Sequence, residues 1–293
     1  MQFDVIAPVG SGRTADPAWV RALAQHLEAC GFDAIVAVEH SVMMAEYSST
    51  YPYDPSGRVE LAADCAVPDP LELLSFVAAC TTTLGLATGV LVLPNHHPVV
   101  LAKRVATLDA LSAGRLRLCV GMGWMREEIE ACGTDFATRG RRADEQLQVL
   151  RALWSGEPTS FHGEWFSFDH AVSVPAPGVR SIPVHVGGHS VAAARRAGRY
   201  GDGLQPLGVV GPALAELREV MAASAVSSGR DPDRLELTLG HLVERIDRDR
   251  AERMAALGAT RVVLALPDLP ELDAQLDAIS ACADRLGLVG AAS

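Results

Sequence analysis

The chain has 293 residues, 49% of them hydrophobic, and a formal net charge of −11. That length suits one large α/β domain or two ordinary ones, and the apolar fraction is ample for a big core. The acidic balance argues against nucleic acid or an anionic membrane surface as partner, and no apolar run reaches the ~20 residues of a membrane-spanning helix.

The start, MQFDVIAPVG, lacks the basic flank and long apolar core of a signal peptide and reads as a first strand over 3–7. A helix over 17–29 follows, then a second strand over 34–38 that ends in Glu39-His40. Residues 41–68 carry Tyr47, Tyr51 and Tyr53 among prolines, serines and aspartates, and the next helix begins near Asp69-Pro70. Residues 84–93 are apolar and β-branched, too short and too glycine-interrupted for a helix, so they read as a buried parallel strand. Gly85 and Gly89 within it mark a bulge or a close approach of backbone to a ligand. Pro98 opens a helix carrying Leu101, Val105, Leu108 and Ser112 at helical spacing, and Gly114 stops it. A fourth strand over 115–120 turns out through Gly121-Met122-Gly123, and Glu127-Glu128 begin a helix where carboxylates suit the dipole.

A polar-faced helix over 139–154 precedes a second irregular stretch, 155–182, rich in Phe161, Trp165, Phe166 and Phe168. Strand and helix then alternate as 184–186 and 191–199, 203–206 and 212–227, 235–242 and 248–257, 261–266 and 271–286. Eight strands alternating with eight helical stretches imply a parallel sheet with right-handed crossovers. At roughly the ~250-residue size typical of that count, the fold class is α/β, a (β/α)8 TIM barrel forming one domain over 1–293. Its insertions fall after strand 2 and before strand 5. The alternative, an open doubly wound sheet, would place a GxGxxG after the first strand, and none is there. Aromatics concentrated in both insertions favour a lid or substrate wall, against a short hairpin that covers the barrel flank.

Chemistry in such a barrel belongs at the carboxyl ends of the strands. Glu39-His40 sits there, as an acid/base pair or as a histidine that merely caps the strand end. Gly187-Gly188-His189-Ser190 opens the 191–199 helix: two glycines, free N–H groups and a hydroxyl make an anion site, or else a plain serine cap behind a glycine turn. The adjacent His96 and His97 point apart in most backbones and lack a third ligand, so a solvent-facing or capping role is expected and no metal. Six cysteines without CxxC spacing read as small buried hydrophobes in a reducing cytoplasm. Lys103 is the only lysine among 25 basic residues, which together with the alanine richness points to a GC-rich coding genome.

Four segments, GFDAIVAVEH (31–40), LGLATGVLVLPNHHPVVLAKRVATLDALSAGRLRLCVGMGW (84–124), RGRRADEQLQVLRALW (139–154) and IPVHVGGHSVAAARRAGRYGDG (182–203), together resemble the bacterial luciferase-like superfamily of flavin- and deazaflavin-dependent oxidoreductases. Within it the resemblance is closest to a coenzyme F420-dependent branch, through a YPYDPSG-like element (51–57), a DPLELL-like helix start (69–74) and GxGW followed by paired glutamates. The resemblance implies a cofactor ring across the C-terminal mouth, backed by a non-proline cis peptide in the third strand's bulge, here Gly89–Val90. It also implies that Glu39 and His40 lie against the cofactor and are catalytic, and that Gly187, Gly188, His189 and Ser190 hold the cofactor phosphate. Thr88, Gly89, Val90, Gly123 and Trp124 complete the implied cofactor-binding set.

Two departures stand out. Sugar-phosphate dehydrogenase relatives carry a catalytic glutamate immediately after the fourth strand's glycine turn, where this chain has Trp124, which argues against glucose-6-phosphate as substrate. Cys119 stands where relatives usually carry glycine, and AADCAV (62–67) matches nothing assignable. The expected function is F420-dependent hydride transfer with a small-molecule substrate, in a cytoplasmic homodimer. The first alternative is an FMN-dependent monooxygenase using oxygen and a flavin reductase partner; the second is a cofactor-binding protein without turnover. A GC-rich, actinobacterial source favours the deazaflavin, and Glu39-His40 argues against a protein without turnover.

Overall fold

Runs of β-branched and small apolar residues pair side by side, all parallel, until the last meets the first. In a computed structural model, which describes residues 1–10, 12–178, 181–267, 269 and 271–288, β1 (Gln2–Ile6) lies between β2 (Ala34–Ala37) and β11 (Arg261–Ala265). From β2 the ring continues through β3 (Gly85–Thr88), β5 (Leu116–Gly121), β8 (Val184–Gly187), β9 (Gly203–Gln205) and β10 (Glu236–Leu242) back to β11. This is the closed eight-stave barrel expected from the alternation. The third stave is broken: β3 pairs with the lower half of β5 at Leu86 and Ala87, and the short β4 (Leu91–Val92) pairs with its upper half at Val120 and Gly121.

Helices close around the barrel because their first turns are capped in sequence. Asp16 accepts the N–H groups of Ala18 and Trp19 and places Pro17 at the first position of α1 (Pro17–Ala29). Asp69 and Pro70 repeat the device for α2 (Pro70–Cys80), and Pro98 opens α3 (Pro98–Leu111). Then come α4 (Arg126–Ala131), α5 (Arg139–Leu153), α6 (Val191–Tyr200), α7 (Gly211–Ser227), α8 (Arg248–Ala256) and α9 (Leu272–Leu286). Among the described residues no helix is long and apolar enough to cross a membrane.

Period-2 alternation divides each stave between two environments. Phe3 and Val5 join the large core between sheet and helices, whereas Asp4 faces inward, fully buried. Its carboxylate accepts from Arg261 at 2.8 Å and from Arg117, so two guanidiniums on opposite sides neutralise it and fill the barrel floor. His185 lies beside them with its ring against Gly203. Burial first, then Arg117 and Arg261, pushes it well below the ordinary histidine range and leaves it neutral. Higher up, Val36, Ala87 and Val263 form a small apolar layer under the mouth.

The second insertion differs from expectation. Among its described residues it forms an antiparallel hairpin, β6 (Thr159–His162) and β7 (Ser167–Ala171), while 179 and 180 of the predicted stretch lie outside the described residues. The buried carboxylate of Glu145 on α5 accepts the N–H groups of Glu164, Trp165 and Phe166, at 3.0, 3.0 and 2.7 Å. Phe166 inserts into the outer core, so this insertion covers the flank and is not a substrate wall.

Small residues at the top of the staves make room for one side chain. A Cβ built on Gly187 would lie 2.5 Å from Val90 Cγ1, and one on Gly121 would lie 2.4 Å from Val90 Cγ2. Gly187→Ala is therefore expected to destabilise the fold by about 1–3 kcal/mol through overpacking. In Val90→Ala/Gly187→Ala the added methyl meets only ordinary contacts. A double-mutant cycle by urea denaturation should show a favourable coupling of at least about 1 kcal/mol, where additive effects would place Val90 elsewhere.

Candidate active site

The carboxyl ends of the staves bring together residues far apart in sequence. Glu39 and His40 leave the top of β2 in opposite directions, as neighbours on an extended chain do. Glu39 is buried, with both oxygens engaged: Oε2 accepts the N–H of Val92 at 2.5 Å, and Oε1 lies 2.6 Å from His96 Nε2. His96 therefore does not face solvent or cap a helix, contrary to expectation. The carboxylate reaches it because the turn Leu93–Asn95 carries it back toward β2. His97 is exposed and takes the N-cap position of α3, although its side chain makes no cap bond.

His40 turns toward the mouth. Its Nδ1 lies 3.0 Å from Oε2 of Glu128, which is 2% exposed at the start of α4. Glu128 Oε1 accepts the Ser41 N–H at 2.6 Å and the Asn95 amide at 3.3 Å. Edge-on beside His40, at 6.1 Å between ring centres, stands Trp124. Trp124 is held outward because Gly123, at φ 72°, turns the chain in the left-handed region where a side chain would meet Ile129 and Val92.

The break between β3 and β4 lies below these residues. Gly89–Val90 is a cis peptide, at the bond and in the stave where it was expected. Thr88 is buried, and its hydroxyl donates to the Cys119 carbonyl at 2.7 Å and accepts the Cys119 N–H at 2.9 Å, filling the gap left in the ladder. Its expected place in the cofactor set is thus taken by a structural bond. Val90, half-buried, is the side chain that lies across Gly121 and Gly187 at the mouth. The Cys119 thiol faces Gln205 Oε1 at 3.3 Å, and burial pushes it up to about 12, so it stays protonated and is no nucleophile.

The glycine loop after β8 mixes both of its readings. Ser190 is the N-cap of α6, its hydroxyl accepting the Ala193 N–H at 3.2 Å. Gly188, at φ 124°, donates its N–H to Gln205 O at 3.1 Å, so this group is not available to an anion as expected. Among the described residues the N–H groups of His189, Ser190, Val191 and Ala192 have no acceptor, and His189 and Ser190 are exposed. The open N–H groups therefore begin one residue later than expected, at the helix start itself.

The first insertion forms a wall over this floor. Tyr47 and Tyr51 meet Trp124 edge-on at 5.5 and 5.1 Å, and Tyr53 meets His189 at 5.1 Å, so rings span the rim from β2 to β8. Burial raises the Tyr53 hydroxyl above its ordinary range. Glu127 clamps the segment: it accepts from Ser48 N–H at 2.7 Å, Ser48 Oγ at 2.8 Å and Ser49 Oγ at 2.7 Å. The Ser49 hydroxyl first, then the Ser48 N–H, holds this carboxylate down to about 2.

Sequence pattern assigns no site role to Glu128, Asn95 or His96, which the structure brings to His40 and Glu39. For Glu128 the one signal is the glutamate pair at a helix start, where adjacent side chains must diverge.

Comparison with known proteins agrees with the barrel fold. Residues 1–285 match the family model described as luciferase-like monooxygenase. An F420-dependent glucose-6-phosphate dehydrogenase of Nakamurella multipartita is 31% identical over 271 residues, covering 89% of this chain and 76% of the relative. Among solved structures, an F420-dependent secondary alcohol dehydrogenase in complex with an F420–acetone adduct superposes with a TM-score of 0.77 at 19% identity, over 98% of both chains. The FMN-bound oxygenating constituent of 3,6-diketocamphane monooxygenase from Pseudomonas putida has a TM-score of 0.66 at 20% identity, over 88% of this chain and 71% of that one. At these identities the structures share the fold.

The clamp can be tested apart from any reaction. Arg58, exposed in the insertion, is held by the Tyr47 carbonyl and stacks on the Tyr47 ring. Glu127→Ala should speed tryptic cleavage after Arg58 by about 5–30-fold, the effect of losing roughly 1–2 kcal/mol of local closure. Because the folded carboxyl titrates below its ordinary range, the clamp is intact above that range and is lost as pH falls toward about 2. An unchanged cleavage rate would mean that the segment is held by its rings alone.

Proposed function

The chain belongs to the luciferase-like monooxygenase family, and on that premise we propose that it is a coenzyme F420-dependent oxidoreductase acting on a small organic substrate. The observation that carries the reading is His40, at the mouth, tied through Nδ1 to a buried carboxylate and so oriented with Nε2 free of it. The F420 dependence named for two of the similar proteins supports the deazaflavin over FMN.

Either cofactor carries a phosphate, and the four open N–H groups of residues 189–192 at the start of α6 are suited to hold one. Val90, Gly123 and Trp124 would take the ring side, while Glu39, with both oxygens already bonded, supports the broken stave from behind. Bound and reduced, such a cofactor supplies a hydride. His40 Nε2 gives or takes the proton at the substrate heteroatom, so that the two transfers together balance the reduction or oxidation. Tyr47, Tyr51 and Trp124 present rings beside it, a wall suited to a substrate with an apolar body. Trp124 occupies the position that is glutamate in sugar-phosphate dehydrogenase relatives, which again points away from a sugar phosphate. A cytoplasmic homodimer completes the proposal.

Titrating the purified protein separately with F420 and FMN should show the tighter binding for F420. Mixing with reduced F420 and a panel of small ketones and aldehydes should give single turnover under strict anaerobiosis. His40→Ala should slow it by ~10²–10⁴-fold with cofactor affinity unchanged. An absolute oxygen requirement with FMN would make the protein a monooxygenase, and full activity in His40→Ala would remove that residue from the proposal.

A further inference from the structure

We propose that Glu128 is a positioning residue that fixes the tautomer of His40, keeping the hydrogen on Nδ1 and the lone pair of Nε2 turned toward the mouth. The inference rests on the reading of His40 as the proton-handling group, and it follows from which neighbouring atoms are able only to donate. The Ser41 backbone N–H lies 2.6 Å from Oε1 of Glu128, and a backbone N–H has no acceptor function. The Asn95 amide donates to the same oxygen at 3.3 Å. Oε1 is thereby committed as an acceptor. The second oxygen, Oε2, faces His40 Nδ1 at 3.0 Å, and a carboxylate offers it nothing but lone pairs. The hydrogen in that contact must therefore sit on Nδ1.

The surroundings reinforce this arrangement. Glu128 is 2% exposed, so water does not compete for its oxygens. The other ionisable groups near His40 are committed or neutral: Glu39 is bonded to Val92 N–H and His96, and burial raises the Cys132 thiol, which lies against Ser41. Trp124 touches the ring edge-on and supplies no competing acceptor.

The same logic predicts the effect of an isosteric replacement. In Glu128→Gln the Ser41 N–H still demands an oxygen, so the new NH2 is turned toward His40. It can only donate there, Nδ1 must become the acceptor, and the hydrogen moves to Nε2. Shape and volume are conserved while the working nitrogen loses its lone pair.

Nitrogen-15 NMR of histidine-labelled, full-length protein without cofactor reads this directly, with His40→Gln identifying the signal. The wild-type ring should be protonated at Nδ1, and Glu128→Gln should show the opposite tautomer. Anaerobic single turnover with oxidised F420 and small secondary alcohols, the direction in which Nε2 takes the proton as hydride leaves the substrate, should fall by ~10²–10⁴-fold in Glu128→Gln, with cofactor affinity within about twofold of wild type. Asn95→Ala, which removes a donor from the other oxygen, should keep the wild-type tautomer and lose less than about tenfold.

A wild-type ring protonated at Nε2 would overturn the proposal, and so would a Glu128→Gln protein that switches tautomer but keeps the full rate. If Glu128→Gln does not fold, the wild-type spectrum still decides. A tautomer switch in a protein that turns over no substrate with either cofactor would support the role of Glu128 while rejecting the proposed reaction.

Discussion

The site depends on one buried carboxylate. Glu39 accepts the N–H of Val92 and meets His96, and this holds together a stave that does not run straight. A backbone donor left unpaired inside the barrel would cost roughly 1–3 kcal/mol, and an unpaired buried carboxylate more. Each satisfies the other across the gap between β2 and β4. With the upper half of the stave pinned there, Thr88 bridges to Cys119 and Val90 is set over Gly121 and Gly187. The floor of the mouth, its glycines and the direction of His40 follow from that single junction.

A second carboxylate repeats the device one layer out. Glu128 ties His40 to the start of α4, and its neighbour Glu127 ties down the first insertion. Because the two glutamates are adjacent on a short helix, they necessarily point to different sides. One orients a histidine and the other holds the tyrosines against Trp124. Polar groups in such a place act strongly because their partners are fixed in advance and little water screens them. The fold is shared by proteins that bind F420 and by one that binds FMN, so its architecture alone does not choose the chemistry; the side chains at the mouth do.

The barrel was legible in the sequence because its signals are local. Alternating apolar strands, proline after an aspartate cap and glycine at a helix stop are each set by a few consecutive residues, and eight repeats admit few topologies. The glycines that mark the bulge and the glycine loop before the sixth helix were visible for the same reason, whereas the cis bond at Gly89–Val90 was implied only by the family resemblance. Local pattern gave no means, however, of telling that residues 155–182 fold as a flank hairpin, since their aromatics would suit a wall equally well.

Partnership across the mouth was decided by tertiary structure alone. His40 meets Glu128 across 88 positions and Glu39 meets His96 across 57, distances over which no periodicity carries information. The Gly188 N–H is spent on Gln205 because β8 and β9 lie in a register that only the closed barrel imposes. Sequence by itself determined which barrel strands and surrounding helices form and which residues reach the carboxyl ends of the strands, because backbone preference and side-chain alternation are short-range. Which of those residues touch, and which donors remain free for a ligand, was settled only when barrel closure brought distant staves within hydrogen-bonding distance.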